Sequence, residues 1–283
     1  MNRAVLLISA PDKIGLVHEI TGFIAKNNGN IINLDQHIDK DTKTFLMRVE
    51  WDLSTFKIPR EKIKEEFEKV AKKHNMNFEI KFSDYIPKVA IFVSKFGHCL
   101  HDLLYRFSSG DLPGKVVAVF SNHKDFENLA KFYGIPYFYF PITKENKLEQ
   151  EEKELEILKA LDVDLIILAR YMQILSKNFV EKYENKIINI HHSFLPAFPG
   201  AKPYHRAYKR GVKIIGATSH YVTEELDAGP IIEQDVIRVS HKDTIEDFIK
   251  KGQDLEKLVL ARAVKWHLEN KILVYNNKTV IFE

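Results

Sequence analysis

The strongest constraint on the fold is a series of short, almost continuous apolar runs after residue 88. Segments with helical spacing lie between these runs, at about residues 100–107, 124–133 and 151–161. Apolar runs of this kind suit parallel strands that are covered by helices on both faces. The alternation therefore predicts a doubly wound, mostly parallel, Rossmann-like α/β domain. The runs span residues 89–93, 116–120, 165–169 and 187–190.

The first 84 residues follow a different order, in which a helical pattern that begins at Gly15 is followed by two strand patterns in succession. The order βαββαβ predicts a ferredoxin-like module. Residues 84–88, which include Pro87, form the expected boundary, so the predicted domains are 1–84 and 85–283. A long helix is predicted from residue 244 to about 268, with Gly252 as a candidate kink. The strand patterns lie at residues 5–8, 31–38, 43–51 and 77–82, and the second helical pattern at 58–74.

Composition excludes several classes of protein. Lysine and arginine number 42 against 39 acidic residues, and this small excess does not indicate a nucleic-acid partner. No apolar stretch approaches the roughly 20 residues of a membrane helix, and Pro11 ends the first apolar run too early for a signal peptide. Cys99 is the single cysteine, so no intrachain disulfide can form. We expect a soluble, cytoplasmic protein without a membrane partner.

The densest group of reactive side chains follows the last of the apolar runs. In an open parallel sheet, ligands bind beyond the carboxyl ends of the strands. Asn189 and His191 are two residues apart, so on a strand they project from the same face. Histidines that only cap backbone groups are the alternative, but a cluster at this position favours function. The group comprises Asn189, His191, His192 and Ser193, followed by the turn residues Pro196, Pro199 and Gly200.

A second group contains Asp227, which precedes Ala228 and Gly229. Taken alone, this aspartate is a turn former. However, His191 needs a carboxylate partner to fix its tautomer and charge state, and an acid at the end of another strand can supply one. Asp227 is therefore a candidate partner of His191.

These segments resemble a known family. Residues 189–200, together with His220 and residues 227–229, resemble the active-site signature of folate-dependent formyltransferases, and residues 168–175 resemble their folate-pocket segment. More narrowly, residues 94–104 and the stretch from 254 to 280 resemble formyltetrahydrofolate deformylases. Residues 9–17 resemble the start of an ACT regulatory domain. The resemblance covers essentially the whole chain and implies an ACT domain followed by a formyltransferase domain.

The resemblance implies hydrolysis of 10-formyltetrahydrofolate to tetrahydrofolate and formate, which supplies formate for purine synthesis. Asn189, His191 and Asp227 match the catalytic positions. Attack on the formyl carbon develops an oxyanion, which Asn189 and a protonated His191 could stabilise. Asp227 would favour the charged imidazole and help to relay the proton of the attacking water. No metal and no cofactor are expected.

The pterin and benzoyl groups of a folate need an apolar slot with a few polar anchors. By resemblance, Met172, Ile174 and Leu175 line this slot, although simple core packing is the alternative for all three. Arg170 is expected to be either an anion contact or a structural ion-pair partner. The remaining expected substrate contacts are His220, Thr223 and Leu226, with backbone groups of residues 223–227 as pterin anchors.

Two other functions remain open from the sequence. An amine formyltransferase, such as one that acts on glycinamide ribonucleotide, must bind the acceptor phosphate, for which its relatives use a glycine-rich loop after the first strand. Here residues 94–98 contain one glycine, Gly97, which favours water as the acceptor. A non-enzymatic folate or amino-acid sensor is the other alternative, but it would not need the full set of three catalytic residues.

The resemblance to an ACT domain implies regulation by an amino acid bound between subunits. Gly15 lets the backbone approach a ligand, and the following helix start, at Leu16, favours a carboxylate. Asp12 could receive the ammonium group. Pairing of sheet edges also predicts a homo-oligomer, because it covers exposed strand edges. A dimerisation module without any ligand is the alternative.

Overall fold

A computed structural model describes residues 2–196 and 203–283. The turn residues Pro199 and Gly200 lie outside this part of the chain. Residues up to Ile86, together with Asn270–Glu283, form one compact unit, and Pro87–Glu269 form a second. No helix in the described ranges is both long enough and apolar enough to cross a membrane.

The first unit contains the expected βαββαβ order. Its four-stranded antiparallel sheet has the strand order β2-β3-β1-β4. One face of the sheet packs against two helices, because alternate residues of β1 such as Leu6 and Ile8 meet the apolar stripe of the first helix at Ile20 and Ile24. The elements are β1 (Arg3–Pro11), α1 (Leu16–Lys26), β2 (Asn30–Asp39), β3 (Thr44–Asp52), α2 (Ile63–His74) and β4 (Asn77–Phe82).

A C-terminal hairpin completes this first unit. It consists of β12 (Ile272–Tyr275) and β13 (Lys278–Ile281), joined by two asparagines with positive φ, a conformation that asparagine tolerates. Leu273 and Phe282 pack against Leu7 and Leu46, on the sheet face opposite the helices. The finding differs from the predicted domain 85–283, because burial of these apolar side chains assigns the last residues to the first unit.

The second unit contains the predicted doubly wound sheet. Its seven strands have the order β11-β10-β9-β8-β5-β6-β7, and the pairs among β5 to β9 are parallel. At one edge of the sheet, β10 pairs antiparallel with β9, and β11 pairs antiparallel with β10. The strands are β5 (Lys88–Val93), β6 (Lys115–Ser121), β7 (Tyr137–Tyr139), β8 (Leu165–Leu168), β9 (Ile187–His191), β10 (Ile214–Tyr221) and β11 (Ile231–Arg238).

The described residues of this unit form six helices. The longest one begins with a capping box between Thr244 and Asp247 and continues through Gly252 as a single helix. Gly252 makes room for a neighbouring ring, since a Cβ at this position would lie 2.2 Å from Cζ of Tyr204. The helices are α3 (His98–Ser109), α4 (Glu127–Phe132), α5 (Lys147–Ala160), α6 (Lys177–Lys182), α7 (Pro203–Arg210) and α8 (Ile245–Leu268).

Candidate active site

A cavity of about 250 Å³ lies at the carboxyl ends of β8 and β9. This is the edge of a parallel sheet at which ligands are expected. All of the residues that the sequence predicted as catalytic or substrate-binding line the cavity. They are Arg170, Met172, Ile174, Leu175, Asn189, His191, His220, Thr223, Leu226 and Asp227.

Strand pairing brings the polar groups of β9 and β10 together. Asn189 and His220 are register partners in the antiparallel pair, and His191 is opposite Thr218. Directly paired residues hold their side chains on the same face of a sheet. The hydroxyl of Ser219 also donates to the backbone oxygen of Asn189 over 3.0 Å, which fixes the strands at this point.

His191 is held by the predicted carboxylate. Its Nδ1 lies 3.2 Å from Oδ2 of Asp227, and its side chain is only 7% exposed. Within the described residues, Nε2 of His191 has no hydrogen-bond partner. The hydrogen bond from His191, and then the neighbouring His220, hold the pKa of the Asp227 carboxyl well below its usual range, so Asp227 is ionised. Asp227 therefore fixes Nδ1 of His191, and Nε2 of His191 remains available to a ligand.

His220 links the other members of the site. Its Nδ1 lies 2.9 Å from the carbonyl oxygen of Tyr221, which can only accept, so this nitrogen carries a hydrogen. Its Nε2 lies 3.2 Å from Nδ2 of Asn189 and 3.7 Å from Oδ1 of Asp227. In the neutral tautomer, Nε2 accepts one hydrogen of the Asn189 amide. The second amide hydrogen remains for a substrate oxygen.

The loop that carries Asp227 depends on a glycine. Asp227 has φ 57°, in the left-handed region, and Gly229 lies two residues after it. A Cβ on Gly229 would lie 1.9 Å from the backbone oxygen of Tyr221, so no larger residue fits without a backbone shift. The hydroxyl of Thr223 donates to the backbone oxygen of Glu225 over 3.1 Å, inside the same loop.

The apolar wall is formed by the segment that follows β8. Met172 and Ile174 are 53% and 58% exposed, which excludes core packing as their role, whereas Leu175 is 9% exposed and belongs to the core as well. Leu226, on the opposite loop, is 60% exposed. Apolar side chains that face an open cavity lose contact with water when an aromatic ligand binds.

Two buried glutamates on α5 support this wall, and sequence reasoning did not find them. Glu151 accepts a hydrogen bond from the backbone N–H of Ser176 over 3.1 Å, and Glu154 faces the hydroxyl of Tyr171 at 3.5 Å. Burial, followed by the nearby charge of Glu151, raises the pKa of Glu154 to about 8. No sequence signal separates these carboxylates from the exposed acids of the same helix.

Arg170 is an ion-pair partner in the structure, as one of the two sequence interpretations held. Its Nε lies 3.4 Å from Oε2 of Glu256, and its φ of 64° is in the left-handed region. Glu256 is 1% exposed and also accepts hydrogen bonds from His98 and Tyr204. Burial opposes ionisation of Glu256, but the hydrogen bond from His98 and the charge of Arg170 outweigh it, and its pKa is lowered.

His98, Cys99 and Glu256 are the one group of described residues whose donor atoms could share a metal ion. The donor set fits an ion-paired network better, because both carboxylate oxygens of Glu256 are in use and Arg170 would repel a cation. Burial also raises the pKa of the Cys99 thiol well above its usual range, which disfavours the thiolate that a metal needs.

The segment predicted to bind an effector lies in the first unit. Gly15 has φ 93° and precedes α1, as expected for a backbone turn at a helix start. Asp12 is exposed, and its backbone N–H donates to the carbonyl oxygen of Lys43. The side chain of Leu16 is 2% exposed and packs in the core, so only its backbone can meet a ligand.

Known proteins match both units. Residues 87–264 match the formyl transferase family and residues 4–72 match the ACT domain. A formyltetrahydrofolate deformylase of Synechocystis is 54% identical over 279 residues, which cover 99% of this chain and 98% of that protein. The chain belongs to the formyltetrahydrofolate deformylase family.

Other members of the formyltetrahydrofolate deformylase family agree over the same length. The deformylase of Bacillus subtilis is 47% identical, and the match covers 99% of this chain and 94% of the length of that protein. The crystal structure of a deformylase from Pseudomonas syringae superposes with a TM-score of 0.98 at 43% identity, covering 100% of this chain and 95% of that one. The ACT and formyltransferase architecture predicted from the sequence is confirmed.

Proposed function

We propose that this protein hydrolyses 10-formyltetrahydrofolate to tetrahydrofolate and formate and, through that formate, supports purine synthesis. The observation that carries the proposal is the buried Nε2 of His191, which has no hydrogen-bond partner among the described residues while Asp227 holds Nδ1. A donor fixed in this way, beside the amide of Asn189, suits an oxygen that becomes negative during a reaction.

The proposed chemistry uses these three side chains in turn. Water adds to the formyl carbon, and the oxyanion receives hydrogen bonds from His191 Nε2 and Asn189 Nδ2. Asp227 stabilises the positive imidazole and accepts a hydrogen bond from the attacking water. The water gives up one proton as it adds, and this proton passes to N10 as the C–N10 bond breaks, which releases tetrahydrofolate and formic acid. The formic acid then loses its own proton to solvent and becomes formate. No step in this scheme requires a metal or a cofactor.

The apolar wall and the opposite loop are proposed to hold the folate. Met172, Ile174 and Leu226 present exposed apolar surface to the cavity, which suits pterin and benzoyl rings. Backbone groups of residues 223–227 provide the polar anchors. The cytoplasmic location stays a prediction from the sequence.

Product analysis tests the reaction and separates it from the transferase and sensor alternatives. The purified protein, given 10-formyltetrahydrofolate alone, should release formate and tetrahydrofolate in equal amounts. Added glycinamide ribonucleotide should remain unformylated by mass spectrometry, since residues 94–98 provide a single glycine for a phosphate loop. Formylated ribonucleotide would establish a transferase, and binding without turnover would establish a sensor.

We further propose that the ACT unit binds an amino acid between two copies of the chain. The supporting observation is β2, which pairs only with β3 and leaves its other edge without a partner in the described sheet. This long edge carries Ile32, Leu34 and Ile38, each more than a third exposed. An exposed apolar edge strand is a template for pairing with another chain.

Assembly and effector binding can be tested together. Leu34→Lys should shift the sedimentation of the protein toward the monomer, because a charge on the edge opposes pairing. Glycine, methionine and serine should be titrated while heat and formate release are recorded, with Asp12→Asn expected to abolish the binding heat and Asp41→Asn to retain it. An unchanged mass for Leu34→Lys, or no heat with any amino acid, would contradict the corresponding part of the proposal.

A further inference from the structure

Arg170 combines burial with backbone strain at the wall of the cavity. It is 8% exposed, and no other lysine or arginine lines the described part of the cavity. Its φ of 64° lies in the region that favours glycine. Strain of this kind persists at functional sites, where the surrounding structure holds the residue in place. The strain therefore suggests that the side chain itself is required at this position.

The contacts of the Arg170 guanidinium leave its two Nη groups available to bind an anion. Its Nε faces Glu256 at 3.4 Å, and the ring of Phe96 lies 5.5 Å from its central carbon. No hydrogen bond joins its Nη atoms to any residue in the described ranges. Glu256 divides its negative charge among three partners, because His98 and Tyr204 also donate to it. Arg170 can therefore keep this ion pair and still bind a second anion.

We propose that Arg170 binds the product formate on its two Nη groups. This inference rests on the proposed hydrolysis, which creates a small carboxylate in this cavity. The planar fork of a guanidinium matches the two oxygens of a carboxylate, and such bidentate pairs are among the stronger hydrogen bonds of proteins. The nearby Glu256 weakens the attraction, so the product is held in place but is able to leave. The carboxylates of the folate glutamate are the other source of the same chemistry.

Inhibition by formate tests the proposal. A ligand of three non-hydrogen atoms binds with a dissociation constant of about 1 mM at best, so sodium formate should be added up to roughly 0.1 M. Sodium chloride at equal concentration controls for ionic strength. Wild type should be inhibited more by formate than by chloride. Arg170→Gly, in which the positive φ is unstrained, should raise the inhibition constant for formate at least about tenfold.

Two further variants make the result specific. Arg170→Lys keeps the charge but not the fork, and formate inhibition should fall between wild type and Arg170→Gly. Asn185→Gly relieves the same kind of strain at an exposed position with φ 55°, away from the cavity. Formate should inhibit this variant as strongly as it inhibits wild type.

Two results would overturn the assignment. Formate could act no differently from chloride on wild type, or Arg170→Gly could keep the wild-type inhibition constant. A raised KM for the folate in Arg170→Gly, with formate inhibition unchanged, would assign Arg170 to the carboxylates of the substrate instead. Failure of wild type to form tetrahydrofolate is a separate result that refutes the proposed hydrolysis.

Discussion

Replacing Asp227 by asparagine should lower turnover by about 10²–10⁴, with little change in folding. The asparagine keeps the shape of the side chain but loses the charge that lies 3.2 Å from Nδ1 of His191. The same change removes the negative charge that lies 3.7 Å from Nε2 of His220. The positive charge that forms on His191 in the proposed reaction is then no longer stabilised, and the attacking water meets a neutral amide oxygen in place of a carboxylate. Initial rates of formate release at saturating folate measure the effect.

A matched control comes from the same loop. Glu225→Gln removes an exposed charge two residues away, but it leaves the backbone groups that are proposed to anchor the pterin. We expect its turnover to stay close to that of wild type. Thermal unfolding of both variants checks that the loop is intact. Near-normal turnover in Asp227→Asn would refute the proposed role of this carboxylate.

Raising the pH from 5 to 8 should lower the free energy of unfolding, and Glu154→Gln should remove most of that loss. Burial raises the pKa of Glu154 from an ordinary 4.5 to about 8. Between these values the folded protein holds a proton that the unfolded chain has released. The stabilisation is therefore complete below about pH 4.5 and is lost as the pH rises through 8. A shift of this size corresponds to about 5 kcal/mol at most.

Denaturant unfolding at several pH values measures this dependence. Glu152→Gln is the control, because Glu152 lies on the same helix but is exposed to solvent. In Glu152→Gln the free energy of unfolding should depend on pH as it does in wild type. In Glu154→Gln it should change less with pH. Equal slopes in all three proteins would mean that Glu154 does not titrate in this range. Since Tyr171 lines the cavity, the same experiment reports on the support of the folate wall.

The sequence predicted elements whose signal is local. The apolar runs located the parallel strands because a strand covered on both faces needs apolar side chains throughout. Asn189 and His191 stood out because polar groups rarely follow such a run without a purpose. Their placement beside Asp227 in the structure follows from the neighbouring strand β10, which leads into the loop that carries this acid.

Features that depend on distant contacts were not predicted. Glu256 meets Arg170 across a long stretch of chain, and nothing near Glu256 in the sequence marks it as buried. Glu151 and Glu154 likewise resemble the exposed acids around them until the wall segment packs on α5. Leu16 was expected at a ligand site because of its position after Gly15, but core packing determines where its side chain lies.

The C-terminal hairpin has a consequence for how the chain is made. Leu273 and Phe282 cover Leu7 and Leu46, yet they leave the ribosome only after the whole second unit has been synthesised. During translation Leu7 and Leu46 therefore stay open to solvent until the hairpin has been made. Exposed apolar surface of this kind attracts chaperones and other nascent chains. The hairpin thus acts as a closing step for the first unit, and until it is made Leu7 and Leu46 are available for aggregation.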